Sequence, residues 1–506
     1  MSNPAADRVM KNTFVLYIRM FFMMVVSLYT SRVILKNLGA EDYGIYSLVG
    51  GVVTMFSFLQ ATISNSAQRF LTFELGKNDR AMLKRTFCML ANIHFGVAVL
   101  IVIILETAGL WFFYQKLFIP ADRLSAAFWV YQFSVLTMFF NVITTHYNGV
   151  LIAHENMGIY AYIDILGTVL KLLLVLLLPY INADRLILFA FFIFLISWIQ
   201  RVIYSTYCRR KYEEARFEFI WDAGIYKKLI GFSGWLTISA LSNITLRQGV
   251  NILVNMFYGV LANAAIGIAS QVNNTINKFA TNFQQAYVPQ LIKSYAEGNF
   301  ERTKKYIFSG AKICCILLGL FSIPIIIEAP VILKLWLKNV PEYTVMIVRL
   351  ILLDTLVRSI TYSMQSAIRA TGRIRNFEIT NNLILFSGLI SGYFLMKSGG
   401  SVYSIFYIQI LFSIISSFYI AYTCARKIMF SYRTYFRQVI LRMFVIITIS
   451  SLPAIYLHHV MEEGFIRLMV ILAAFLAVYF PSLYICGFTT TEKELIKQQI
   501  IQKFKR

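Results

Sequence analysis

Charge is what this sequence has little of. Charged side chains make up 14% of its 506 residues, against roughly 25% in an ordinary soluble domain. The acidic kind is the scarcer, 24 Asp and Glu against 47 Lys and Arg. With 58% hydrophobic residues a soluble fold could not cover its own apolar surface. No Gly-x-x-x-x-Gly-Lys-Ser/Thr run occurs, which excludes ATP hydrolysis on a phosphate loop of that kind. The five histidines (His94, His146, His154, His458, His459) form no zinc motif, and the adjacent pair His458-His459 reads as interfacial. The six cysteines (Cys88, Cys208, Cys314, Cys315, Cys424, Cys486) lie in or at the ends of apolar stretches without ligand spacing, so they read as packing residues. No metal site and no cofactor is expected.

What is present is a series of apolar spans near the length of about 20 residues that crosses a bilayer at 1.5 Å per residue. They fall at 13–37, 45–68, 86–111, 126–152, 159–180, 186–208, 229–257, 261–287, 307–333, 343–367, 378–397, 402–424, 438–458 and 466–487. The pattern predicts an all-α polytopic membrane protein with about 14 transmembrane helices. Arg8 and Lys11 precede the first span, which is too long for a signal-peptide core and reads as retained. The net charge of +23 would suggest a nucleic-acid partner in a soluble protein. Here its distribution sets topology instead. Clusters such as Arg69, Lys77, Arg80, Lys84 and Arg85, or Arg209, Arg210, Lys211 and Arg216, fall on one side, and the opposite loops carry far fewer cations. Both termini are expected in the cytoplasm, with the basic stretch at 489–506 as a cytoplasmic tail. Every outward connection is short, at most about 15 residues, which leaves no room for an external catalytic domain. The external loops also lack paired carboxylates beyond Glu462-Glu463. The chain reads as a non-enzyme with no catalytic residues.

An internal repeat runs through the first twelve spans. Gln68, Phe73, Gly76, Asp79, Arg80 and Glu106 recur at one constant offset as Gln290, Tyr295, Gly298, Glu301, Arg302 and Glu328, and with small gaps Leu38-Gly39 aligns with Tyr258-Gly259. Six spans separate the copies, so both have the same orientation, a parallel repeat. The expected organisation is a six-helix bundle at 1–208, a cytoplasmic linker at 209–228, a second six-helix bundle at 229–425 and two additional helices at 426–488.

The seventh and eighth spans are unusually polar. Asn263, Gly267, Gln271, Asn274, Lys278, Asn282 and Gln285 form one helical stripe, and Asn243, Arg247, Asn251 and Asn255 form another. Lipid cannot satisfy amides, so these faces meet protein or water. Interhelical hydrogen bonding, at about 0.6 kcal/mol per group, would account for a single Asn; two stripes point to a cavity. Charges deep in spans are sharper. Each cation costs about 2.5–3.5 kcal/mol at mid-bilayer. Asp354 and Arg358, four apart, are expected to pair, as are Asp164 and Lys171; these four are candidate structural or coupling charges. Arg19 and Arg247 have no acidic residue within helical reach in their own spans. They remain available to an anion, which a guanidinium binds through two parallel hydrogen bonds, or to an acidic partner on another helix.

The run Leu38-Gly39-Ala40-Glu41-Asp42-Tyr43-Gly44 resembles the Leu-Gly-x-x-x-Tyr-Gly signature of Wzx-type polysaccharide flippases in the multidrug/oligosaccharidyl-lipid/polysaccharide (MOP) exporter superfamily. Gly39 and Gly44 would permit a tight outer turn. The resemblance implies two bundles around a central cavity in a bacterial cytoplasmic (inner) membrane. It implies alternating access that moves an undecaprenyl-diphosphate-linked oligosaccharide outward for O-antigen, capsule or exopolysaccharide synthesis, beside glycan-assembly enzymes. Arg19, Arg247 and Lys278 would hold the diphosphate, and Asn243, Asn251, Asn255, Gln271, Asn274 and Asn282 would face the glycan. H+ or Na+ would be the coupling ion. A cation-coupled multidrug exporter of the same fold, a peptidoglycan-precursor flippase and a membrane glycan polymerase or ligase are the alternatives.

Overall fold

The computed structural model describes residues 4–117, 119–337 and 339–487; the expected tail at 489–506 lies outside them. The chain divides into two compact units, Arg8–Ala240 and a second that begins at Leu241.

The N-terminal unit comprises most of α1 (Pro4–Thr54), then α2 (Ser57–Lys77), α3 (Arg80–Ile104), α4 (Leu110–Lys116), α5 (Leu124–Ala153), α6 (Met157–Leu177), α7 (Arg185–Lys211) and the start of α8 (Ala223–Ala296). Two of its helix starts, those of α3 and α7, are capped by aspartates. Asp79 accepts from the Met82 amide at 2.9 Å, and Asp184 accepts from the amides of Leu186 and Ile187 at 2.9 and 3.2 Å, satisfying amides that have no partner inside a first turn. α5 is the central helix, with Val130, Tyr131, Val135 and Val142 buried against Phe189 and Ala190 of α7 and Ala98 and Ile101 of α3.

The second unit contains the rest of α8, α9 (Phe300–Ile327), α10 (Ala329–Leu337), α11 (Thr344–Ser359), α12 (Tyr362–Ala370), α13 (Arg375–Lys397), α14 (Ser404–Ile428), α15 (Tyr432–Tyr435), α16 (Leu441–Val460) and α17 (Phe465–Ser482). Small residues of α8, Ala265, Ala269 and Ala280, share a core with Leu318 of α9 and Ile347 and Val348 of α11. The last two helices pack on α9 through a separate cluster of Cys315, Ile446, Phe475 and Tyr479, and the Tyr479 hydroxyl donates to the Ile316 carbonyl at 2.8 Å.

Two helices are broken in the same way. Gly39 in α1 has φ 79° and ψ 173°, and Gly259 in α8 has φ 75° and ψ −168°. That region is open essentially to glycine alone, so one residue turns each chain between two consecutive membrane-length segments. Gly44 stays inside a continuous helix, which leaves Gly39 as the turning residue.

Among the described residues, 11 helices are long and apolar enough to cross a membrane, or 12 with the bent pair Glu41–Thr54 and Ser57–Lys77 taken as one span. Fourteen spans were expected. The difference lies in two segments that are helical but do not meet that criterion. The half of α8 beyond Gly259 carries the amide stripe, which lowers its apolarity, and the tenth span is divided into α11, of 16 residues, and α12, of 9.

Candidate functional site

In the N-terminal unit the geometry centres on a charge pair. Arg19 on α1 donates through Nη1 to Oδ2 of Asp164 on α6 at 3.1 Å, and both side chains are largely buried. The Tyr204 hydroxyl on α7 donates to the other carboxylate oxygen at 3.3 Å, and the Tyr160 ring lies 4.9 Å from the guanidinium. The Nε of Arg19 is buried without a hydrogen-bond partner. The acidic partner missing from the first span thus comes from the fifth. Asp164 does not pair with Lys171: seven residues put them about 10.5 Å apart along the axis, and the Lys171 amine sits 6.0 Å from the Phe189 ring instead. Neither aromatic partner was legible, since a Tyr on another helix leaves no mark in the periodicity of the first.

In the second unit the polar face of α8 divides in two. Asn243, Arg247, Asn255, Gln271, Asn274 and Lys278 are exposed, Asn251 is half-buried and Asn282 buried. Asn251 donates to Gln248 at 3.3 Å. Among the described residues neither Arg247 nor Lys278 has an acidic partner within ion-pair distance. One helical step around, Asn273 and Asn277 are committed to packing. Thr355 donates to the Asn273 side chain at 2.7 Å, Asn277 donates to the same oxygen at 3.0 Å, and Tyr362 donates to Asn277 at 3.3 Å. Those two asparagines are the interhelical fastening, and they lie beside the stripe singled out from the sequence. Their spacing of four was the available signal.

The other deep charges of this unit are held locally. Arg358 and Asp354 pair at 2.8 Å on α11, with the guanidinium also donating to Ser413 of α14 at 3.1 Å. Arg349 donates to the Ile326 and Ile327 carbonyls at 2.8 and 3.3 Å, capping the buried C-terminal end of α9 where intrahelical partners run out. Glu328, fully buried just beyond α9, was read only as a repeat match. It accepts from Arg467 of α17 at 3.0 Å and is bonded to His458 at 2.5 Å. His458, read as interfacial, therefore belongs to an ion cluster. Among the described residues no group of three or more His, Cys, Asp or Glu could hold a metal ion.

The connection between α7 and α8 is strapped onto the N-terminal unit. Glu214 and His154 approach to 2.6 Å, and His154 stacks on Tyr212 with ring centres 4.1 Å apart. Burial alone would raise the Glu214 carboxyl; the hydrogen bond from His154, the backbone amide and the nearby His154 and Arg80 charges outweigh it and hold the group below its ordinary value.

No protein-family model matches the sequence, and no curated protein sequence matches it. Among solved structures the fold is similar to a multidrug resistance MATE family transporter of the MOP superfamily in an outward-facing conformation (TM-score 0.71, 13% identity, 83% of this chain and 96% of that one). It is similar to a MATE in the bent conformation (TM-score 0.71, 13% identity, 85% and 98%). It is also similar to a MOP superfamily transporter from Pyrococcus furiosus, for which the reverse polarity of the binding pocket is said to suggest a different function (TM-score 0.66, 13% identity, 83% and 96%). At these identities the likeness is one of fold. The chain has the multi-pass, all-α fold of MATE-type transporters in the MOP superfamily, and the likeness does not single out the polysaccharide flippase branch within it.

Proposed function

We propose that this chain is a transporter that moves a lipid-linked oligosaccharide diphosphate from the cytoplasmic to the outer leaflet of a bacterial cytoplasmic membrane by alternating access. One observation carries the reading: Arg247 and Lys278 stand exposed on the amide-rich face of α8 with no acidic partner among the described residues. Lipid cannot solvate such a face, so it meets water or a polar ligand. Cations without counter-charges select an anion, and a guanidinium fits a phosphate through paired donors. Amides that both donate and accept suit sugar hydroxyls, a role we give to Asn243, Asn251, Asn255, Gln271 and Asn274; Asn282, expected on the same face, is buried.

Arg19 has a different part. With Asp164 ionised, its Nη1 is held. Proton uptake by that carboxylate would free the guanidinium for the diphosphate, which makes the pair a coupling element. Lys171, about two turns further along α6 and against Phe189, keeps a structural or coupling place, and the Asp354 and Arg358 pair a structural one.

A second reading, cation-coupled drug export, has the likeness to multidrug transporters in its favour. A cationic drug would prefer an acidic face, and this one is basic. The pocket of reversed polarity in the Pyrococcus furiosus protein makes it reasonable that one fold serves substrates of opposite charge. Flux in proteoliposomes separates the two. A fluorescent oligosaccharide-diphosphate lipid should cross, and Arg247→Ala with Lys278→Ala should slow it about a hundredfold or more, the loss of two charged contacts. Efflux of a cationic dye with no lipid movement would overturn the flippase reading in favour of the drug exporter.

A further inference from the structure

The eleven residues between α7 and α8 carry a feature that transport leaves unexplained. Their contacts with α3 alternate as in an extended strand. The Cys88 thiol donates to the Arg216 carbonyl at 3.9 Å and accepts from the Glu218 amide at 3.4 Å, Asn92 donates to the Ile220 carbonyl at 3.2 Å, and Lys84 pairs with the Glu218 side chain. Ile220 packs on the core beneath. The intervening residues point away, so Phe217, Phe219 and Trp221 are 45, 78 and 65% exposed, and Trp221 stacks on Tyr226. Three large aromatics are thus left open on a segment whose backbone at 216, 218 and 220 is fastened to α3.

The charge around this row is predominantly positive. Arg209, Arg210, Lys211, Arg216, Lys227 and Lys228 are exposed at its two ends. Of the nearby acids, Glu214 is bonded to His154, Glu218 to Lys84, and Asp222 caps α8 through the amides of Gly224 and Ile225, while Glu213 is exposed. The strap begins where the span Arg185–Lys211 ends and stops where the span Ala223–Gly259 begins, so both its ends are at a bilayer face. Its depth follows from α3. The apolar stretch Arg80–Gln115, 36 residues, is about 54 Å long, while the hydrocarbon core is about 30 Å thick. About 12 Å therefore project at each end, and Cys88 and Asn92 lie about 12 and 18 Å from the start of the helix. That is the boundary between headgroups and acyl chains, on the side the positive-inside distribution assigns to the cytoplasm.

We infer that the strap is a membrane-surface anchor: Phe217, Phe219 and Trp221 insert at the headgroup boundary of the cytoplasmic leaflet, and the basic residues at its ends select anionic lipid. The surface holds for any transported substrate. The test is site-directed nitroxide labelling of the full chain in vesicles, with unsubstituted protein as the control for native thiols. Phe219→Cys in phosphatidylcholine vesicles containing phosphatidylglycerol should be several-fold more accessible to oxygen than to a water-soluble nickel chelate. Glu218→Cys, one residue away, should show the reverse. The insertion of Phe219→Cys should weaken in pure phosphatidylcholine and in a background of Arg210→Glu with Lys227→Glu. A Phe219→Cys label open to nickel in the anionic vesicles overturns the inference, as does one closed to both reagents, which would mark a protein contact.

Discussion

The pairing of Arg19 with Asp164 shows what one residue can and cannot reveal by itself. Removing the carboxylate alone leaves a buried guanidinium without its counter-charge, a change that typically costs about 3–5 kcal/mol. Asp164→Asn should therefore lower the thermal stability of the purified protein sharply. Asp164→Asn combined with Arg19→Gln should recover much of it while transport stays lost, which thermal unfolding and flux together would read. Sequence reasoning found both residues and missed the bond, because their separation of 145 residues is invisible to periodicity within one helix. Glu214 gives a second residue-level expectation. A carboxyl held below its ordinary value contributes stability that is present above the unfolded value and lost as pH falls through the folded one. Glu214→Gln should speed amide exchange across 212–220 at neutral pH, a difference worth no more than about 1 kcal/mol in this half-screened setting. The gap between variant and wild type should narrow as pH falls below the ordinary glutamate value of about 4.3.

Among the helices, the two glycine breaks are the most informative feature. Gly39 and Gly259 were aligned by sequence alone, and the structure gives them nearly one conformation. An added Cβ meets nothing within 4 Å at either position, so the constraint is backbone conformation and not space. Gly39→Ala and Gly259→Ala should each cost about 1–3 kcal/mol, measurable as a lower unfolding temperature with no new clash. Elements were legible where composition was uniform: the apolar stretches stand close to the helices observed. Legibility failed where polarity and length broke the rule, at the amide-bearing half of α8 and at the divided α11 and α12. The stripe itself was visible as spacing, but which asparagines fasten helices and which stay open depended on where Thr355 and Tyr362 arrive from elsewhere.

For the molecule as a whole, the last two helices are joined to the second unit by more than apolar packing. Glu328 is fully buried, with Arg467 as its charged partner and the His458 ring bonded to its other oxygen. Arg467→Met should destabilise this region by about 3–5 kcal/mol, and Arg467→Met with Glu328→Gln should recover most of it; exchange protection over α16 and α17 reads both. The arrangement also sets a timetable for biogenesis. Glu328 leaves the ribosome 139 residues before Arg467, and at about 5–20 residues per second the delay is about 7–28 s. During that interval the growing protein holds an acidic group that the finished one surrounds completely. Chains arrested before α17 should therefore be prime targets for membrane quality control, so that proteolysis of nascent products would stop abruptly once the final helix has been made.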